Sequence, residues 1–176
     1  AKTFRHSLSV AELMIWAAEK AGVDRHKAVT AGLLHDLCKA VEPAELLQRA
    51  SEYGIEVNET QRLRPSLLHA PVAAEEARRV LGVDDPEIHE AIYWHSTGKP
   101  QWCRLGLALY FSDFSEPLRD FPEAEQARRI FKEKGFEAAL CYVADQRLLC
   151  LQRKPHVDPT TRAFNAWLHS QNGCGR

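Results

Sequence analysis

The sequence predicts an all-α protein, a helical bundle of about eight helices with no sheet. Three observations carry this expectation. Every stretch with a clear apolar rhythm repeats at three- and four-residue spacing. Helix boundaries are written repeatedly into the chain: an acidic residue precedes proline at Glu42-Pro43, Asp85-Pro86 and Asp158-Pro159, and glycines stand where rhythms end. No segment alternates apolar and polar residues as a half-buried strand would.

Taken in order, Leu8, Ala11, Met14, Ile15 and Ala18 give one stripe from Ser7 to Ala21, closed by Gly22. Asp24 is placed to cap a second helix, expected to run through His35 and Asp36 until Glu42-Pro43 stops it. A shorter helix follows to Gly54, and residues 55–64, polar and weakly periodic, read as a surface loop. Pro65 opens a turn carrying Leu67, Leu68 and His69, and Pro71 begins a helix that Gly82 ends. Asp85-Pro86 starts a helix to His95, which Thr97-Gly98-Lys99-Pro100 breaks. A more apolar helix spans about Trp102 to Ser115 and is halted by Glu116-Pro117. Pro122 and Gly135 bound the next, and a long helix covers Phe136 to about Lys154. Asp158-Pro159 opens the last, expected to fray from about Asn172.

A chain of 176 residues suits one domain, 1–176, large enough to bury a core without covalent staples. With 23 basic against 24 acidic residues there is no global field to attract nucleic acid or an acidic membrane surface. No basic stripe with interleaved aromatics appears either. The five cysteines (38, 103, 141, 150 and 174) are scattered without CxxC spacing, which predicts reduced thiols and a cytoplasmic location. Apolar runs such as Leu105 to Phe111 fall far short of the ~20 residues that span a bilayer. A secretory signal is not visible, and a start at Ala1 suggests a processed or trimmed N-terminus. A homodimer is left open.

Six side chains of metal-ligand type recur at the edge of a helix or turn beside large apolar neighbours. His6 follows Phe4; His35 and Asp36 follow Leu33 and Leu34; His69 follows Leu67 and Leu68. His95 follows Tyr93 and Trp94, and Asp113 follows Tyr110 and Phe111. Half-buried polar groups need partners, so several in one setting invite a shared one. Taken singly, each histidine is more often an ordinary hydrogen-bonded residue, by about four to one. His26, His89, His156 and His169 fit that ordinary reading better.

Four imidazoles and two carboxylates without thiolate suit iron, manganese, cobalt or zinc rather than calcium or magnesium. One carboxylate can bridge two ions ~3.5–4 Å apart, a pair that clamps a displacement at phosphorus. The cations are suitably spaced. Lys39 shares a helical face with His35 and Asp36, while Lys99 and Arg119 lie in loops just after His95 and Asp113. Ser9, one turn after His6, would face the same site. Surface solvation is the ordinary role for any one of these. Together they predict hydrolysis of a phosphate ester or anhydride. No Ser or Cys paired with a base stands out, so attack by a metal-held hydroxide without a covalent enzyme intermediate is expected.

Five pieces in order resemble the HD-domain metal-dependent phosphohydrolases, and within them the YqeK family, the symmetrical diadenosine tetraphosphate hydrolases. They are Arg5-His6-Ser7-Leu8, the run from Ala31 to Lys39, Pro65-Ser66-Leu67-Leu68-His69, the run from His95 to Pro100, and the run from Tyr110 to Arg119. Pro159-Thr160 and Asn165 also fit, so the resemblance covers nearly the whole chain. It implies that His6, His35, Asp36 and Asp113 hold one ion, that Asp36 bridges to a second held by His69 and His95, and that the metal is iron. Asp36, Lys39 and Arg119 are the expected catalytic residues; Ser9, Lys39, Thr97, Lys99 and Arg119 are the expected substrate contacts. The implied reaction converts diadenosine tetraphosphate and water into two ADP. Alternatives are another nucleotide substrate, a nucleotide-sensing module with little turnover, or a purely structural helical domain. Ser96, Lys99, Trp102-Cys103 and Leu118 depart from the family pattern, and they touch substrate choice more than metal binding.

Overall fold

The computed structural model describes residues 2–153 and 156–172. Ten α-helices stand in the order α1 (Lys2–Ala21), α2 (Arg25–Leu34), α3 (Pro43–Glu52), α4 (Glu59–Leu63), α5 (His69–Arg79), α6 (Pro86–Trp94), α7 (Arg104–Ser115), α8 (Pro122–Lys134), α9 (Phe136–Gln152) and α10 (Pro159–Asn172). A 3-10 turn, Pro65–Leu68, precedes α5, and no strand occurs among the described residues. The all-α expectation is met, with ten α-helices among the described residues rather than about eight.

Side-chain caps set several of the starts. Asp24 accepts from the Lys27 N–H, Asp85 from Glu87 and Ile88, and Asp158 from Thr160, each satisfying a donor that the first helical turn leaves unpaired. The expected loop at 55–64 contains α4. Asn58 and Gln61 form a reciprocal capping box there, Gln61 N–H to Asn58 Oδ1 at 2.9 Å and Asn58 N–H to Gln61 Oε1 at 3.0 Å. Five residues are too few to show a helical period, which is why apolar rhythm alone missed this helix.

Other boundaries move by a few residues. α5 begins at His69 rather than Pro71, and α7 at Arg104 rather than Trp102. The expected end of the long helix at Lys154 and the fraying beyond Asn172 lie outside the described residues. The consequential shift is in α2, which ends at Leu34 instead of running through His35 and Asp36. The His35 ring bonds the Gly32 carbonyl at 2.8 Å, the acceptor that Asp36 N–H would take in a continuing helix. The chain then proceeds through tight turns, with Leu37 N–H to Leu34 O and Lys39 N–H to Asp36 O each at 3.0 Å.

Helix α7 lies at the centre, packed against α1, α2, α6, α8 and α9. Its Leu105, Leu109, Tyr110 and Phe111 are fully buried with Val10 and Met14 of α1, Ile92 of α6, and Phe136 and Leu140 of α9. Helices α1 and α2 approach so closely that a Cβ on Gly32 would stand 2.8 Å from the Ala11 Cα. That glycine therefore sets how near the α1 side chains come to the end of α2. At Gly98 the backbone is left-handed (φ +69°) and Phe164 of α10 presses on the hydrogen face, so a side chain there is excluded twice over. Phe164 in turn meets the Trp102 and Tyr110 rings edge-on, joining α10 to α7.

Among the described residues no helix is long and apolar enough to cross a membrane. Cys38, Cys103 and Cys150 are free thiols. Cys141 is disulfide-bonded, a departure from the expectation of fully reduced thiols.

Candidate metal centre

The six ligand-type residues converge, and three of the four histidines do so from helix junctions. His35 follows the last residue of α2, His69 opens α5, and His95 follows the last residue of α6. Each points its Nδ1 at the carbonyl three residues earlier: His35 at Gly32 (2.8 Å), His69 at Ser66 (2.6 Å) and His95 at Ile92 (2.8 Å). A carbonyl only accepts, so the proton sits on Nδ1 and the Nε2 lone pair faces inward. His6, midway along the first turns of α1, points Nδ1 at Glu116 Oε1 (3.1 Å) and Nε2 at Asp113 Oδ1 (3.0 Å).

The imidazoles meet in two pairs. The Nε2 atoms of His6 and His35 are 3.3 Å apart, and those of His69 and His95 are 3.1 Å apart. Asp36 stands between the pairs and gives one oxygen to each. Its Oδ2 lies 3.8 Å from His6 and 3.7 Å from His35, while its Oδ1 lies 3.2 Å from His69 and 3.5 Å from His95. Asp113 Oδ1 closes the first group, 3.7 Å from His35 Nε2. Ligand atoms of His6, His35 and Asp113, and separately of His35, Asp36 and His95, lie within 4.8 Å of one another.

This donor set fits a metal. Two lone pairs facing each other at 3.1 Å repel unless a cation or proton lies between them. Asp36 Oδ1 is buried and makes no hydrogen bond. Among the described residues its one cationic neighbour is the half-exposed Lys39 ammonium at 3.3 Å, a weak partner for a buried carboxylate oxygen, and a bound cation would satisfy both it and the imidazoles. The titration behaviour agrees. Burial opposes ionisation of Asp36, yet His69 and His95 hold its carboxyl well below the usual range. Burial likewise opposes ionisation of Asp113, and the Arg147 charge, with the His6 contact, holds it low. His95, fully enclosed, is pushed by burial down to about 4, which keeps it neutral and able to bind a cation. For His6, burial works downward but the Asp113 and Glu116 carboxylates raise it.

The cluster opens into a cavity of about 820 Å³ whose walls include His6, Asp36, Lys39, Glu116 and Arg119. Lys39 reaches Asp36 Oδ1 at 3.3 Å and His69 Nε2 at 3.1 Å. Arg119 lies 3.2 Å from Asp113 Oδ1, with its Nε on the Asp113 carbonyl. Three other expected contacts are placed elsewhere. Lys99 is paired with Glu90 at 2.7 Å. Thr97 is buried and donates to the Gly98 carbonyl. Ser9 is buried, and its hydroxyl helps to hold the Glu116 carboxyl below the usual range.

Two residues that sequence reasoning missed hold the first ligand group in place. Glu116, nearly inaccessible, fixes the His6 ring and also accepts from the Leu118 N–H at 2.6 Å. Arg147 donates to Asp113 Oδ2 at 2.7 Å while its guanidinium lies 4.2 Å from the Tyr110 ring centre. Nothing local in the sequence marks it, since Asp145 and Gln146 precede it and it reads as part of a polar helix face. Arg128 steadies the segment after α7 by donating to the Ser115 and Glu116 carbonyls at 2.9 and 3.2 Å.

The HD domain family model matches residues 3–145. The chain is similar to the symmetrical bis(5'-nucleosyl)-tetraphosphatase of Bacillus subtilis, 29% identical over 94% of this chain and 88% of the relative. It is 32% identical to the enzyme of the same name from Staphylococcus aureus, over 76% of this chain and 69% of the relative. Its fold is similar to a crystal structure from Clostridium acetobutylicum described as a predicted HD superfamily hydrolase involved in NAD metabolism. That match has a TM-score of 0.90 and 27% identity, covering 97% of this chain and 90% of the other.

Proposed function

The chain belongs to the HD-domain hydrolases, and within them to the family of the symmetrical bis(5'-nucleosyl)-tetraphosphatases; from that premise we propose that it hydrolyses diadenosine tetraphosphate at the central bridge, giving two ADP. The observation that carries the reading is Asp36, whose two oxygens face two separate imidazole pairs. In this reading His6, His35, Asp36 and Asp113 hold one divalent ion, and Asp36, His69 and His95 hold a second. Iron is the proposed metal, with manganese, cobalt and zinc suited to the same donors. When bound, such ions acidify water towards neutral pH and neutralise charge on phosphoryl oxygens.

The chain's own residues supply the rest. Lys39, half exposed at the cavity wall beside Asp36, offers an ammonium to a non-bridging phosphoryl oxygen as negative charge grows there. Arg119, also on the cavity wall, presents a planar guanidinium suited to grip a phosphate through two N–H groups. Glu116 holds the His6 ring with Nε2 directed inward, and Arg147 keeps Asp113 ionised. Lys99 is paired with Glu90, so Lys39 and Arg119 are the cations this reading assigns to the larger cavity.

The test is to purify without chelator, measure bound metal, and run a nucleotide panel in oxygen-18 water with early product analysis. Two ADP, one of them labelled, is the expected result. ATP plus AMP as first products would overturn symmetrical cleavage, and unlabelled ADP would overturn direct attack by water. Asp36→Ala should abolish turnover and lower metal content while His26→Ala changes neither.

A further inference from the structure

A second, smaller chamber opens on the other side of the ligand cluster. It encloses about 300 Å³, and its walls include Lys39, Arg64, Ser66, His69, Ser96 and Arg147. Lys39 is common to the walls of both cavities, while Asp36 lines the larger and Asp113 the smaller. Three cationic side chains face one carboxylate there, Asp113, which already has its partner in Arg147. The guanidinium of Arg147 keeps a buried Nε without a hydrogen-bond acceptor. Among the described residues Arg64, at the turn between α4 and the 3-10 turn, makes a marginal 3.5 Å contact to the His156 carbonyl. Ser96 Oγ lies 3.3 Å from the Nε2 of both His69 and His95.

We propose that this chamber is the phosphate-binding site for the second half of the substrate, so that the polyphosphate chain passes over Asp36 and Lys39 with one nucleoside diphosphate half in each chamber. This rests on the proposed function, and it explains a requirement of it. Symmetrical cleavage leaves two identical diphosphates, and the scissile bridge is centred only if both halves are anchored. The larger cavity supplies Arg119 for one half. On the far side the cations are Arg64 and Arg147, with Ser66 and Ser96 as hydroxyl donors. A volume of about 300 Å³ suits phosphates with the nucleoside at the mouth rather than a wholly enclosed nucleotide. The chemistry selected is a diphosphate carrying several negative oxygens, which guanidinium groups bind in pairs of N–H bonds.

The test is equilibrium dialysis of ADP against the metal-replete enzyme, with Arg64→Glu and Arg64→Gln beside the wild type. Arg64 is outside the ligand set, so metal content and thermal melting should match in all three. Two ADP are expected per wild-type chain and one per Arg64→Glu chain. The KM for diadenosine tetraphosphate should rise about tenfold in Arg64→Gln, as for loss of one charged contact. One ADP per wild-type chain, or two retained by Arg64→Glu, would overturn the second chamber. Two ADP bound with dependence on Arg64 but no turnover of diadenosine tetraphosphate would support the chamber and refute the substrate instead.

Discussion

Replacing Gly32 by alanine inverts an ordinary expectation. Inside a helix, Gly→Ala stabilises by about 0.5–1 kcal/mol, because glycine loses more backbone freedom on folding. Here the added Cβ meets backbone, 2.8 Å from Ala11 Cα and 3.1 Å from Ala11 N, which cannot rotate away as a side-chain tip can. Ordinary contact begins near 3.4 Å, so α1 and α2 must separate by at least about 0.6 Å. Overpacking of this kind costs about 1–3 kcal/mol, more than the helix gains. For a chain of this length each kcal/mol lowers Tm by about 2–4 °C. The larger consequence is at the site. His6 lies five residues before Ala11 on α1, and His35 three residues after Gly32, so a shift between the helices widens the His6–His35 pair. Metal–ligand distances tolerate only about 0.2 Å. Gly32→Ala should therefore lose bound metal and most turnover with only a modest fall in Tm, read by calorimetry, metal analysis and product formation together. A variant with wild-type metal content and rate would show that helix spacing does not set the site.

Three further perturbations separate the supporting residues. Arg147→Met leaves Asp113 buried beside nothing but His6, His35 and Arg119, and breaking such a pair should cost about 3–5 kcal/mol in urea unfolding as well as metal affinity; an unchanged unfolding midpoint would refute it. Glu116→Gln keeps the shape but weakens the hold on His6, and should lower metal affinity about 10–100-fold with little change in fold, measured by chelator competition. Glu75 tests pH dependence away from the site. Burial opposes its ionisation, but Arg78, Arg79 and His89 lower it to about 2, below its unfolded value of about 4.3. Its stabilising contribution is therefore complete above about pH 4.3 and is lost as pH falls through about 2. Since Arg78 and Arg79 are 43% exposed, about 1 kcal/mol is expected after screening. Glu75→Gln should flatten that part of the acid limb of Tm against pH, and an identical limb would show the cluster to be solvated.

The helical class, most helix starts and the ligand types are legible in the amino-acid order, because these depend on neighbours within a few residues. Acid-proline pairs cap and begin helices locally, and apolar spacing needs no distant partner. The short α4 escaped since its signal is a capping box and not a period, and α2 was read too long because the His35 bond to Gly32 is a local competition that hydrophobic rhythm does not register. The tertiary structure decided which polar groups meet. Lys99 has the right residue type and the right loop, yet Glu90 lies closer and takes it. Arg119 and Lys39, equally ordinary in sequence, border the cavity. Glu116 and Arg147 reach the centre from 110 and 34 positions away from the side chains they hold, His6 and Asp113. Arg64, within a stretch that reads as surface loop, is carried to the rim of the second chamber by the 3-10 turn that follows it. Composition and spacing state what a side chain can bind. Which partner it finds depends on helix packing distances, and Gly32 against Ala11 is where this chain fixes the decisive one.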